Sequence, residues 1–149
     1  MSLKSVDSIK KPRWLEIAEQ EIGQSEVPGK EANQKIVEYH SKTLLAATSD
    51  EVPWCSSFVN WCMDKAGYKG TNSAASRSWI NWGIETEPKL GAIVILQRGD
   101  AKLKQGHVGF VVNLDPIFVH VLGGNQSNSV NVSRYFKWKV LAYRWPKIT

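Results

Sequence analysis

Hydrophobic positions along the chain change their period near its middle. In the first half they recur at helical spacing. Trp14, Ala18 and Ile22 form an i, i+4, i+8 stripe with Leu15 beside it, Pro12 suits the first turn and Gly23 the stop. Glu26-Val-Pro-Gly reads as a turn, and a second helix is predicted from Asn33 to about Ala46, with Ile36, Tyr39, His40 and Leu44 on one side. A third begins near Cys55, after Pro53, where Phe58, Val59, Cys62, Met63 and Ala66 repeat at helical spacing before Gly67. A fourth is predicted over roughly Ala74 to Trp82, closed by Gly83.

After Pro88 the period becomes two. Gly91–Arg98, Gly106–Leu114, Ile117–Leu122, Val130–Ser133 and Val140–Trp145 are short, rich in β-branched residues and separated by turn residues. Asp115-Pro116 between the second and third predicts a hairpin. Helices followed by consecutive strands predict an α+β domain, its N-terminal helices packed on an antiparallel sheet of about five or six strands.

Composition narrows this reading. At 149 residues, 42% of them hydrophobic and seven of them Trp, the chain suits a single domain over 1–149 with a core able to offset chain entropy. The longest apolar stretches, Ile93–Leu96 and Ile117–Leu122, are far shorter than the roughly 18–20 residues a membrane helix needs. The first residues carry charge and no apolar h-region, which predicts synthesis in the cytoplasm without a secretory signal. Charge is uneven: residues 98–149 hold eight Lys or Arg against Asp100 and Asp115, a net of +6, while residues 1–50 hold seven basic and eight acidic residues. A basic half suits a polyanionic partner.

The chemistry centres on Pro53-Trp54-Cys55. Cys55 falls in the first turn of a mainly apolar helix, where unpaired N–H groups and the positive dipole end favour a thiolate and could receive an oxyanion. Cys62 lies two turns further on, about 10 Å along the axis at 1.5 Å per residue, too far for a disulfide, and reads as a small buried hydrophobe. No metal-ligand spacing accompanies the two thiols.

His107 in Gly106-His-Val-Gly-Phe-Val-Val is the candidate base. Flanking glycines leave room for a close approach, and alternation puts Gly109 and Val111 on its face. His120, in the paired strand, shares that face in one hairpin register, and His40 reads as surface or packing. A regular hairpin sets Leu122 opposite His107 and places Asn125, in Gly123-Gly124-Asn125-Gln126, within a side-chain length of the imidazole, where its carbonyl oxygen could fix the ring. Trp54, Trp79 and Trp82 crowd the same region of sequence as core or as a substrate groove.

Pro-Trp-Cys-Ser-Ser-Phe-Val-Asn-Trp-Cys, then Ser-Ala-Ala-Ser-Arg-Ser-Trp, Gly-Ala-Ile-Val-Ile-Leu, Gly-His-Val-Gly-Phe-Val and Leu-Gly-Gly-Asn-Gln-Ser-Asn together resemble the CHAP amidases, within the wider NlpC/P60 papain-like group. The resemblance implies a papain-like fold and cleavage of amide bonds in bacterial peptidoglycan. It implies Cys55 as nucleophile, His107 as general base and acid, and Asn125 as the orienting third residue, with no cofactor or metal. Many CHAP members carry an acidic residue near that last position. Here the neighbourhood offers only Gly, Asn, Gln and Ser. Papain relatives also place a Gln upstream of the cysteine in the oxyanion hole. No Gln lies between Lys35 and Cys55, which leaves the task to backbone N–H groups.

A catalytic unit of this kind, monomeric and without nucleic acid as partner, would act in the periplasm or at the cell wall. A holin-type lesion (for a phage lysin) or a secretion machine (for an antibacterial effector, which would have an immunity protein) would deliver it. The rival readings are a basic, non-catalytic cell-wall-binding module and a structural role with Cys55 merely buried.

Overall fold

The computed structural model describes residues 11–26, 33–41, 43, 54–98 and 106–147. Among the described residues three α-helices precede a six-stranded antiparallel sheet, the α+β architecture expected from the change of period. Helix α1 spans Arg13–Gln20 and buries Trp14, Leu15 and Ala18. Ile22 lies past its end, in the turn that leads to Gly23 (φ +105°), and is 50% exposed, so it leaves the stripe predicted for it. Helix α2 spans Gln34–His40, with the Asn33 side chain accepting from the N–H groups of Lys35 and Ile36. It stops short of the predicted Ala46. Ser41 Oγ donates to the Glu38 carbonyl and Thr43 Oγ1 to that of His40, so hydroxyls take acceptors a continuing helix would use. Leu44 lies outside the described residues.

Helix α3, Cys55–Lys65, is the central element, with every residue from Cys55 to Met63 buried. The fourth predicted helix is only a 3-10 turn, Ser76–Trp79. Hydroxyls again explain the difference: Ser73 Oγ accepts from the Ala75 N–H and Ser78 Oγ donates to the Ala75 carbonyl.

The strands are β1 Ile84–Glu85, β2 Ile93–Gln97, β3 Gly106–Leu114, β4 Phe118–Gln126, β5 Ser129–Phe136 and β6 Val140–Trp145. They lie in the order β1-β6-β2-β3-β4-β5. The β3–β4 hairpin forms as expected, and Asp115 holds its turn by accepting from the N–H groups of Ile117 and Phe118. Strand β4 continues four residues beyond its predicted end at Leu122. It meets β5 through Ser127 and Asn128, both at positive φ (52° and 63°), as a two-residue hairpin loop requires. Ile93, Ile95, Val108, Phe110 and Leu122 face the helices, while Val94, Leu96, Val111, Val119 and Val121 form a smaller apolar cluster.

Two irregularities set up the site. The β3–β4 strands stay paired out to Leu114 and Val119, later than a turn at Val112 or Asn113 would allow. The pairing also slips by one residue between Val111 and Asn113, so Leu122 faces Phe110 and not His107. His107 is paired on its other side with Leu96 of β2. From Phe110 back toward Gly106, the described register between β3 and β4 has ended. The N-terminus of α3 packs at this opening.

Candidate active site

Glycine makes that approach possible. A Cβ on Gly124 would sit 2.6 Å from the Trp54 ring and 2.9 Å from Phe58 Cβ, so only a bare backbone lets β4 lie this close to the start of α3. From behind, a buried polar network holds the same helix end. Ser56 Oγ donates to the Ser73 carbonyl at 2.6 Å and accepts from Trp79 Nε1 at 2.9 Å. Asn60 Nδ2 donates to the carbonyls of Ser56 and Ser73, both at 3.1 Å, while its Oδ1 accepts from the Asn72 N–H at 2.9 Å. Buried amides and hydroxyls satisfied in this way fix geometry more sharply than apolar contact does.

Cys55 is the first residue of α3 and is 6% exposed. The N–H groups of Val108, Ser56 and Cys55 itself point at its sulfur. Burial pushes its thiol up from the usual cysteine range, and those N–H groups together with the positive charge of Arg98 pull in the opposite direction. The sulfur therefore lies against β3 one residue along from His107. Cys62, on the same helix, is fully buried in the core, and burial pushes its thiol well up. Both cysteines are free.

His107 is 4% exposed, and its Nε2 lies 2.9 Å from Oε1 of Gln126. The orientation of that amide follows from its neighbours. Gln126 Nε2 faces the carbonyl oxygens of Val121 and Asn131 at 3.1 and 2.7 Å and Asn131 Oδ1 at 3.0 Å, all acceptors. Its Oε1 must then face the imidazole, which makes Nε2 of His107 a donor and leaves Nδ1 with the lone pair. Tyr135 donates its hydroxyl to the same Oε1 at 3.0 Å, and its ring lies 5.4 Å from the imidazole. Burial pushes His107 down to about 4, against the Gln126 hydrogen bond, which raises it; Arg98 lowers it further. The raised thiol and the lowered imidazole both favour the uncharged pair over an ion pair.

Of the residues singled out from sequence, Cys55 and His107 lie on adjoining elements, the Cys55 sulfur meeting the N–H of Val108, the residue after His107. Asn125 does not hold the imidazole. It adopts a left-handed conformation (φ +58°) where the β4–β5 register slips, which breaks the side-chain alternation and hands the contact to Gln126. Asn125 lines the pocket beside His107 instead. Trp54 and Trp79 are fully buried and offer substrate no face; Trp54 donates to Glu26 and Trp79 to Ser56. Trp82 donates to the Lys69 carbonyl and lines a separate pocket of about 300 Å³ that contains neither Cys55 nor His107. His120 pairs with Asp115 at 2.9 Å in the β3–β4 turn, away from the thiol, and holds the Asp115 carboxyl down at about 2. His40 is fully buried and shares a 2.7 Å hydrogen bond with Ser57, which makes it packing and not surface.

Sequence reasoning missed Gln126, Tyr135 and Arg98. Gln126 carried a signal in the two glycines and the turn-prone Asn before it, which mark a strand whose alternation cannot be counted through. Tyr135 comes from β5 and Arg98 from just past the end of β2, and neither carried one.

Among the described residues no group of three His, Cys, Asp or Glu side chains is placed to hold a metal, and no helix is long and apolar enough to cross a membrane. A search among curated proteins finds no match. The sequence profile of the CHAP domain matches residues 47–125, more than half of the chain, from ahead of α3 to the residue before Gln126. CHAP domains are generally hydrolases acting on peptidoglycan. With the matched segment spanning both Cys55 and His107, and with helices laid on an open antiparallel sheet, the chain belongs to the CHAP domain family.

Proposed function

We propose that the protein hydrolyses amide bonds of peptidoglycan by acyl transfer through Cys55, either as an amidase at the sugar–peptide junction or as an endopeptidase in the stem or cross-bridge. The observation that carries this reading is the buried Gln126–His107 hydrogen bond beside the Cys55 sulfur. It leaves Nδ1 free to take a proton. His107 Nδ1 accepts the thiol proton as sulfur attacks the carbonyl carbon, and the oxyanion is received by N–H groups at the start of α3. The imidazolium returns that proton to the leaving amine as the C–N bond breaks. Water, deprotonated by the same nitrogen, then cleaves the thioester and restores the thiol. Gln126 keeps its contact through both steps.

The net positive C-terminal third suits an anionic wall, and a phage lysin or a delivered antibacterial effector would both meet this substrate as monomers. Purified sacculi incubated with wild type, Cys55→Ala and Cys62→Ala test the reading, with new amino groups counted and fragments identified by mass. Wild type and Cys62→Ala are expected to release fragments and Cys55→Ala none. Release by Cys55→Ala equal to wild type would overturn the mechanism. Binding to sacculi without release by any of the three would favour the cell-wall-binding module. The new N-terminus identifies the bond.

A further inference from the structure

A pocket of about 160 Å³ opens beside His107. Strand β2 ends in its wall with Gln97 and Arg98, β4 and the turn after it contribute Asn125 and Ser127, and Lys139 closes it from the 3-10 turn before β6. Its lining holds two cations and no carboxylate. Gln97 fixes one wall: its Oε1 accepts from Arg77, and its Nε2 donates to the Arg98 carbonyl at 3.2 Å. Among the described residues neither Arg98 nor Lys139 forms an ion pair, although Lys139 lies 5.4 Å from the centre of the Trp138 ring. The Arg98 charge reaches Cys55, His107 and Tyr135 alike, which places it within the field of the reacting atoms.

We infer that this pocket is a carboxylate subsite, in which Arg98 and Lys139 hold a free carboxylate of the stem peptide next to the amide presented to Cys55. The inference rests on the peptidoglycan reading above and adds to it a specificity. A volume near 160 Å³ admits one amino-acid-sized group and excludes a disaccharide, and a guanidinium together with an ammonium in one lining is a donor set for a carboxylate. Neutral donors on Asn125 and Ser127 complete the ring without charge to oppose an anion. Burial is the main cause that holds His107 down, and a bound carboxylate offsets the smaller part that the Arg98 charge adds, so the correct substrate makes its own base somewhat stronger.

Stem peptides offer such a carboxylate from a side-linked acidic residue in mid-stem or from the C-terminus. Three muropeptides separate the sources: one unmodified, one with the mid-stem carboxyl amidated, one with the C-terminal carboxyl amidated. Wild type is expected to lose about tenfold or more in kcat/KM on one of the two amidations. In Arg98→Gln/Lys139→Gln that ratio is expected to fall to about two or less. Because each enzyme is compared with itself across substrates, a pKa change at His107 or Cys55 that the substitutions alone cause cancels. Equal kcat/KM on all three muropeptides by wild type, or undiminished discrimination by the double variant, overturns the subsite. Binding of the same three ligands to Cys55→Ala, followed by amide shifts in NMR spectra, reads the subsite without turnover. Carboxylate-dependent binding with no hydrolysis of sacculi by wild type would sink the hydrolase reading and leave the subsite standing; hydrolysis without carboxylate dependence does the reverse.

Discussion

Gln126 Oε1 faces His107 Nε2 at 2.9 Å because three acceptors around its NH2 group allow no other orientation. A neutral amide thus fixes the tautomer of the base, where a carboxylate would add charge to the same contact. Gln126→Ala is expected to lower kcat/KM on soluble muropeptides by about 10- to 100-fold, by freeing the ring and its tautomer. Gln126→Glu keeps an acceptor and adds a negative charge, which raises the affinity of His107 for its proton. Activity is expected to be partly retained, with the acid limb moved at least one pH unit upward. An unmoved limb would show that residue 126 does not act through His107.

The resting state sets the shape of the wild-type pH profile. Thiol with neutral imidazole and thiolate with imidazolium carry the same number of protons, so rate follows neither separately. It falls only when the pair gains or loses a proton. His107 is held down to about 4 and the Cys55 thiol is pushed up, so kcat/KM is expected to be level from about pH 5 to beyond pH 8. Rates measured on one muropeptide across that range check it. A limb centred near the ordinary histidine value of about 6.5 would contradict it.

Much of this site was legible in the chain, and what was not has physical causes. Cys55 at the head of a helix and His107 between glycines both follow from local sequence, because a helix start and a strand period are local properties. The contact fell to Gln126 and not to the expected Asn125 because the β3–β4 turn comes later than a regular count assumes and the β4–β5 register slips between Gly123 and Gln126, which defeats counting along a regular ladder. Trp79 looked like a groove wall because helical spacing cannot say which face meets Ser56. The fourth helix failed for a related reason, since the Ser73 and Ser78 hydroxyls bond to backbone groups that a helix would have used.

Asn60 is the hidden support of the nucleophile. Its amide joins α3 to the 72–73 segment through two hydrogen bonds and donates a third to the Ser56 carbonyl within the helix, and a Cβ on Gly70 would collide with its Oδ1. Asn60→Ala leaves the Asn72 N–H and the Ser73 carbonyl without that partner. A loss of about 2 kcal/mol in unfolding free energy is expected from urea titration. Activity at a temperature where the variant is folded is expected to fall as well, because Ser56 loses one of its anchors and the head of α3 shifts. Asn60→Asp keeps the acceptor for Asn72 but sets a carboxylate oxygen against the Ser56 and Ser73 carbonyls, and is expected to lose at least as much stability as Asn60→Ala.

Burial of His107 also ties folding to pH. Its folded pKa is about 4 against about 6.5 for the free side chain, so between these values the unfolded chain binds more protons than the native one. The contribution of this site is therefore fully present above about pH 6.5 and is lost as pH falls through the window to about 4. The largest loss is about 3 kcal/mol, reached only at the low end. Urea unfolding at pH 7 and pH 4.5 measures it by comparing wild type with His107→Gln, whose side chain has no proton to bind. Wild type is expected to lose more stability on acidification than the variant, by about 2 kcal/mol between those two pH values. The same fall in both proteins would mean that the imidazole is protonated in the native state and that the site rests as something other than the uncharged pair.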